Sequence, residues 1–238
     1  MERIIKGVAF DLEGTVVDVE HVHHRAHLAV AEEVGIVISL DDAISKIPHF
    51  IGGPDETIYR EMCIFGGREA TREIIAAMLS RKRVHYERLL ERAEIQKRPG
   101  FSDVFHVCRD LCLKVSIGSL TPSAQAKILM DRSGLDGLFL TDPVVLREHV
   151  ELAKPAPDVF LKTAAVMGVA PVAQLVFEDS PNGVRAAVAA GSIAVGMPVY
   201  RTSETVGRLL DAGAKRVFFD WREMNIVALI DNLENESI

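Results

Sequence analysis

Residues 8–17 read VAFDLEGTVV, and the fold of the whole chain turns on them. An apolar run begins at Ile4, is broken only by Lys6 and Gly7, and ends in Asp11, Leu12, Glu13, Gly14 and Thr15. Short apolar runs closed by turn residues predict buried strands. The carboxyl end of such a strand then carries Asp11 and Glu13, two residues apart and aimed the same way. In open parallel sheets that edge is where ligands bind. Two adjacent carboxylates repel unless a cation or a shared proton separates them. The stretch therefore predicts a metal site, an acid/base pair, or a nucleophile beside its acid; read alone, it is equally a strand followed by an acidic turn.

Working outward, residues 18–94 show helical periodicity and no strand. Helices are expected over 20–34, 41–47, 55–64 and 69–93, punctuated by Gly52-Gly53-Pro54 and Gly66-Gly67. After the breaker cluster at 96–100 the pattern changes to strands alternating with helices. Strands are expected at 114–119, 137–141, 174–179, 192–196 and 216–220. The helices between and beyond them fall at 102–111, 122–132, 156–167, 182–190, 203–212 and 223–234. Such alternation predicts parallel βαβ units in a layered α/β sheet. The first strand belongs to this later set. The chain thus divides into a core, 1–17 with 95–238, and a helical insertion, 18–94, expected to cover the acidic turn as a lid.

Composition bounds the rest. Of 238 residues, 48% are hydrophobic, enough for a substantial core and against disorder. A net charge of -7 gives no reason to expect a nucleic-acid partner, and an anionic substrate would need local positive groups. No apolar run is long enough to span a membrane, and the N-terminus has no signal-peptide pattern, so the reading is a soluble cytoplasmic protein. Cys63, Cys108 and Cys112 fit no zinc or disulfide spacing. Cys108 and Cys112 are expected to pack as small hydrophobes within a helix.

The remaining strand ends supply matching chemistry: Ser119-Leu120-Thr121, the loop around Lys154, and Glu178-Asp179 followed by Ser180-Pro-Asn-Gly183. Converging on one edge, they offer carboxylates, hydroxyls, a helix N-terminus and a lysine, which suits a phosphate group and a magnesium ion. Lys154 is a point charge for phosphate. The amides of Ser119 and Leu120 are candidates to point at its oxygens. Taken singly, Glu178-Asp179 reads as helix capping, Lys154 as a surface lysine and Ser119 as a strand-end turn.

These motifs together resemble the haloacid dehalogenase superfamily of phosphotransferases, in the subgroup with a helical cap after the first strand, near its β-phosphoglucomutase and phosphoglycolate phosphatase branch. FDLEGT at 10–15, Ser119, KPAPDVF at 154–160 and EDSPNGVRAA at 178–187 carry the resemblance, which spans essentially the whole chain. It implies a three-layer, Rossmann-like parallel core and Mg2+-dependent hydrolysis of a small phosphorylated metabolite. Asp11 resembles the nucleophile that forms an aspartyl-phosphate, and Glu13 the acid/base. The metal would be held by Asp11, the Glu13 carbonyl and Asp179, with Glu178 close by. Lys154, Ser119 and Leu120 would bind phosphate. Glu13 departs from the family's aspartate by one methylene. Oligomeric state is not legible.

Within the insertion, His23 matches a cap-entry histidine of that branch, and Gly53 its cap loop. Both are candidate substrate residues. His23 and His27, four apart, also have the spacing to share a metal. Mutase-like relatives place an arginine soon after the loop glycine, where this chain has Asp55-Glu56. A phosphonate hydrolase would need a Schiff-base lysine; Lys46 and Lys82 qualify by location alone. Three readings follow: the phosphatase, a β-phosphoglucomutase-type mutase, and a non-catalytic regulatory protein on this fold.

Overall fold

A computed structural model describes residues 3–51 and 53–236. The chain divides into two compact units, residues 1–18 with 95–238, and residues 19–94.

The larger unit is built on a six-stranded parallel sheet. Its strands are β1 (Gly7–Phe10), β4 (Lys114–Gly118), β5 (Val144–Val145), β6 (Gln174–Glu178), β7 (Ile193–Gly196) and β8 (Arg216–Val217), in spatial order β5-β4-β1-β6-β7-β8. β1 is flanked by the later strands β4 and β6, with Phe10 in register with Ile117 on one side and Phe177 on the other. The opening stretch therefore occupies the middle of the sheet, where strand order reverses and ligand crevices form.

Side-chain alternation sorts the two faces. Ala9, Val176 and Ala194 join one apolar cluster with Val159, Phe160, Val184 and Leu209 from helices α7 (Asp158–Met167), α8 (Pro181–Ala189) and α9 (Ser203–Asp211). On the other face Phe10 meets Phe101 of α5 (Phe101–Asp110) at 5.2 Å between ring centres, Phe177 at 5.6 Å and Trp221 at 5.7 Å. Edge-to-face and offset pairs of this kind add about 0.5–1.5 kcal/mol each beyond area burial. Helices α6 (Ser123–Ser133) and α10 (Ile226–Glu236) complete the helical set. The result is the α/β layering that the strand–helix alternation predicts.

Two short strands, β2 (Val17–Asp18) and β3 (Gln96–Lys97), pair antiparallel where the chain leaves and re-enters this unit. β3 falls in the segment read as a breaker cluster, because two residues of ladder carry no periodic signal.

The expected strand at 137–141 is not formed. Leu138 and Phe139 both donate their amides to the Leu135 carbonyl, in a turn. The ladder with β4 is made instead at Val144–Val145. The apolar character of 137–141 serves packing, with Phe139 against Phe105 at 4.9 Å between ring centres, while Leu140 is 80% exposed. Cys112 also departs from expectation. It follows α5 at positive φ and is exposed, whereas Cys63 and Cys108 are buried.

The smaller unit is helical: α1 (Glu20–Glu33), α2 (Leu40–Lys46), α3 (Asp55–Phe65) and α4 (Arg72–Leu90). Thr71 caps α4 by accepting from the Ile74 amide, which starts that helix three residues later than its composition predicts. Its core includes Val30, Ile47, Phe50, Tyr59, Met62 and Met78. Gly52, expected in the cap loop, lies outside the described residues.

Candidate active site

β1 hands its direction to the site with little slack. Asp11 extends the ladder by one bond, donating its amide to the Phe177 carbonyl at 3.0 Å. The chain then turns so tightly that the Leu12 carbonyl accepts from both Val16 and Val17. Gly14 makes this turn at φ +77°, and a Cβ there would lie 2.3 Å from Asp179 Oδ2. Glycine is required on both counts, conformation and closeness to the carboxylate.

The end of β6 is fixed as firmly. Ser180 caps α8 by accepting from the Gly183 amide at 3.0 Å, with Pro181 in the first helical position. Glu178 Oε2 accepts from the Ser180 amide at 2.8 Å and from its hydroxyl at 3.0 Å. A Cβ on Gly183 would stand 1.7 Å from Glu178 Oε1, so this helix start leaves room for the carboxylate only because the residue is glycine.

Lys154 joins the two strand ends. Its Nζ donates to Asp11 Oδ1 at 2.5 Å, to Glu178 Oε1 at 2.6 Å and to the Gly118 carbonyl at 3.4 Å, and sits 5.0 Å from the centre of the Phe160 ring. Asp11, Glu178 and Asp179 bring ligand atoms within 4.8 Å of one another. When ionised, these three carboxylates against the single Lys154 charge leave a surplus of two negative charges. The electrostatic consequence falls on Asp11. Burial pushes its carboxyl up to about 7, with Glu178 and Glu13 adding to the rise and Lys154 opposing it. Burial alone would lower Lys154, but the facing Asp11 and Glu178 carboxylates outweigh it and its pKa is raised.

Glu13 does not enter this carboxylate group. Its Oε1 accepts from the Thr121 hydroxyl at 2.6 Å, and Thr121 Oγ1 lies 3.0 Å from Ser119 Oγ. The side chains of Ser119 and Glu13 are thus joined through Thr121, a hydroxyl residue of that strand end to which the sequence reading gave no separate role. The signal for Thr121 was its place two residues beyond Ser119 at the same strand end. The Ser119 amide points elsewhere than expected, donating to the Val145 carbonyl at 2.9 Å. The parallel ladder uses it, so the hydroxyl is the group Ser119 can offer to a phosphate.

The candidate substrate residues belong to the helical unit. The His23 ring stacks on Tyr86 at 4.3 Å, and His27 Nε2 lies 3.4 Å from Asp55 Oδ1. The two histidines thus meet different partners. Gly53 donates its amide to the His49 carbonyl, and a Cβ there would come 2.3 Å from that oxygen. Lys82 is buried and pairs with Asp55 at 2.9 Å, while Lys46 pairs with Asp42. The carboxylate standing near the mutase arginine position is therefore already bound to a cation.

The open parallel sheet thus carries a lysine-bound carboxylate just beyond its central strand, with an acidic cluster beside it. The model of the haloacid dehalogenase-like hydrolases matches residues 5–191, and the chain belongs to that family. It is 32% identical to the fructose-1-phosphate phosphatase YqaB of Escherichia coli K12 over 189 residues, covering 79% of this chain and 94% of that enzyme. It is 26% identical to the β-phosphoglucomutase of Bacillus subtilis 168 over 230 residues, 93% of this chain and 98% of that one. A family hydrolase of Deinococcus radiodurans R1, solved with bound phosphate and sodium, superposes with a TM-score of 0.75 at 20% identity, covering 98% of this chain and 99% of that one. At that identity the likeness speaks for the fold.

Proposed function

We propose that the protein is a magnesium-dependent phosphatase acting on a small phosphorylated metabolite through an aspartyl-phosphate at Asp11. The observation that carries this reading is the surplus of negative charge around Lys154. An all-oxygen, doubly negative cluster suits a hard divalent cation better than a soft one. Asp11, Asp179 and the Glu13 carbonyl would hold magnesium, with Glu178 beside them. When bound, the ion supplies charge neutralisation for the phosphoryl oxygens.

The chain's own residues then divide the work. Lys154 and the Ser119 hydroxyl hold phosphoryl oxygens, and Asp11 supplies the attacking carboxylate oxygen. As the Asp11 oxygen–phosphorus bond forms, the bond to the leaving oxygen breaks, and Glu13 protonates that oxygen. Glu13 next takes a proton from water attacking the same phosphorus. The aspartyl bond breaks, and inorganic phosphate leaves. Thr121 keeps the Glu13 carboxylate from swinging on its longer arm. In this reading the helical insertion, with His23 and Gly53, selects the substrate. The relatives' names, a fructose-1-phosphate phosphatase and a β-phosphoglucomutase, favour a phosphorylated sugar.

The test is hydrolysis of an aryl phosphate by purified protein with Mg2+, with EDTA, and by Asp11→Asn. Metal-dependent phosphate release that Asp11→Asn abolishes is expected. No turnover across a broad panel of phosphate esters would overturn the reading. The B. subtilis relative favours one second reading, a phosphomutase. An isomerised sugar phosphate without release of inorganic phosphate would identify it.

A further inference from the structure

Arg98 is 8% exposed, and its guanidinium makes four hydrogen bonds, all to backbone carbonyls. Nη1 donates to Gly14 at 2.6 Å and to Met197 at 2.5 Å; Nη2 donates to Phe219 at 2.7 Å and to Pro198 at 3.1 Å. These acceptors lie in the segments following β1, β7 and β8. The Arg98 amide also donates to the Val16 carbonyl at 2.7 Å, next to the β2–β3 pair. Burial lowers its pKa, and the carboxylates of Asp179, Asp18 and Asp220 act against that lowering.

A buried guanidinium satisfied by carbonyls alone is an expensive way to fill space, since an apolar side chain avoids the desolvation cost. What it provides is geometry: a planar fork of donors holding several acceptors at fixed angles. Two of those acceptors lead into the site. Gly14 follows Glu13 and comes so close to Asp179 that no side chain fits between them. Met197 donates its own amide to the Glu178 carbonyl at 2.7 Å.

We propose that Arg98 is a positioning residue that ties the Glu13–Gly14 turn and the segments after β7 and β8 into one rigid rim around Asp179, and so holds the acid/base and metal-ligating groups in working register. The assignment of roles to Glu13 and Asp179 rests on the phosphatase reading; the tie does not. Without Arg98 the Gly14 carbonyl has lost its anchor, and Glu13 moves with the turn. Lysine keeps the charge but concentrates it at one atom, so it recovers part of the fork.

The test uses the full chain carrying Arg98→Lys and Arg98→Met. Amide exchange is read at Gly14, Met197 and Phe218, which donate to Val17, Glu178 and Gly196, with helix α7 as the reference. Steady-state hydrolysis of an aryl phosphate with Mg2+ is read in parallel. The expected result is about tenfold or faster exchange at the three rim amides with α7 unchanged, and kcat lowered about tenfold or more at near-constant KM, with Arg98→Lys intermediate in both. Rim exchange within about twofold of wild type would overturn the tie, and a loosened rim with unchanged kcat would overturn the catalytic consequence. If Arg98→Met does not fold, Arg98→Lys decides by the same criteria. A wild type inert toward every phosphate ester overturns the phosphatase reading and the catalytic consequence with it, while the exchange data still decide the tie.

Discussion

Thr121 donates its hydroxyl hydrogen to Glu13 at 2.6 Å, and this bond answers the question that one extra methylene raises. A glutamate on a turn has a longer reach and more rotamers than an aspartate, so it needs a second contact to be held in one place. Thr121→Val removes the donor at nearly constant volume. It is expected to lower kcat of phosphate-ester hydrolysis about tenfold, the equivalent of one hydrogen bond to a charged group, with KM nearly unchanged. Steady-state kinetics with an aryl phosphate checks this. A kcat within twofold of wild type would show that Glu13 does not depend on Thr121.

Gly183 is tested through stability. The Cβ of Gly183→Ala would occupy the place of the Glu178 carboxylate and force the Lys154 contact apart. Overpacking of this kind costs about 1–3 kcal/mol, so thermal unfolding should fall by roughly 2–12 °C for a chain of this size. Gly207→Ala, also inside a helix but with nothing within 4 Å of its added Cβ, serves as the control for the glycine-to-alanine change alone. The drop at Gly183 should be the larger.

The pH dependence of stability carries the signature of Asp11. Its folded-state pKa, about 7, stands above the ordinary aspartate value of 3.8, so between those limits the folded protein binds more protons than the unfolded one. This contribution is fully present below about pH 4 and is lost as pH rises through 7. In EDTA, Asp11→Asn should therefore be more stable than wild type above pH 7, by on the order of 1–3 kcal/mol, and should lose that advantage toward pH 4. Denaturant melts at pH 5 and pH 8 read the difference directly. An equal gap at both values removes the argument.

Asp55 gives the opposite slope. Burial by itself would raise its carboxyl, but the hydrogen bond from His27 and the charge of Lys82 hold it well below the usual carboxylate range. Its contribution is present above about pH 4 and is lost as pH falls further. Asp55→Asn leaves Lys82 buried without its ionic partner and should cost about 1–3 kcal/mol at pH 7, less than breaking a fully buried pair because Asp55 remains part-exposed. Lys82→Met should cost less, since it removes the buried charge together with the bond. A double-mutant cycle measured by urea unfolding separates the two.

The framework of the fold was legible because burial is periodic. Apolar runs bounded by glycine and proline mark β1, β4, β6 and β7, and the amphipathic helices fall between them. Short edge elements escaped because two-residue ladders such as β5 and β3 have no period to detect, and because Phe139 made a packed turn look like a strand. The carboxylates, Lys154 and Ser119 could be picked out as chemically expressive residues at strand ends. Thr121 stood at the same strand end without a role assigned to it, and Arg98 went unseen, since an arginine in a connecting segment carries no pattern until its partners are known.

The sequence alone determined which groups end at the carboxyl edge of the sheet, because strand alternation and the glycine turns are local. Tertiary structure alone decided what those groups do to one another. Lys154 bonds Asp11 across 143 residues and Arg98 bonds Met197 across 99. The rise of Asp11 to about 7 follows from burial, with the distant Glu178 and the neighbouring Glu13 adding to it and the distant Lys154 opposing it. Such couplings depend on distances of a few ångströms between residues far apart in the chain, and only the packed sheet fixes them.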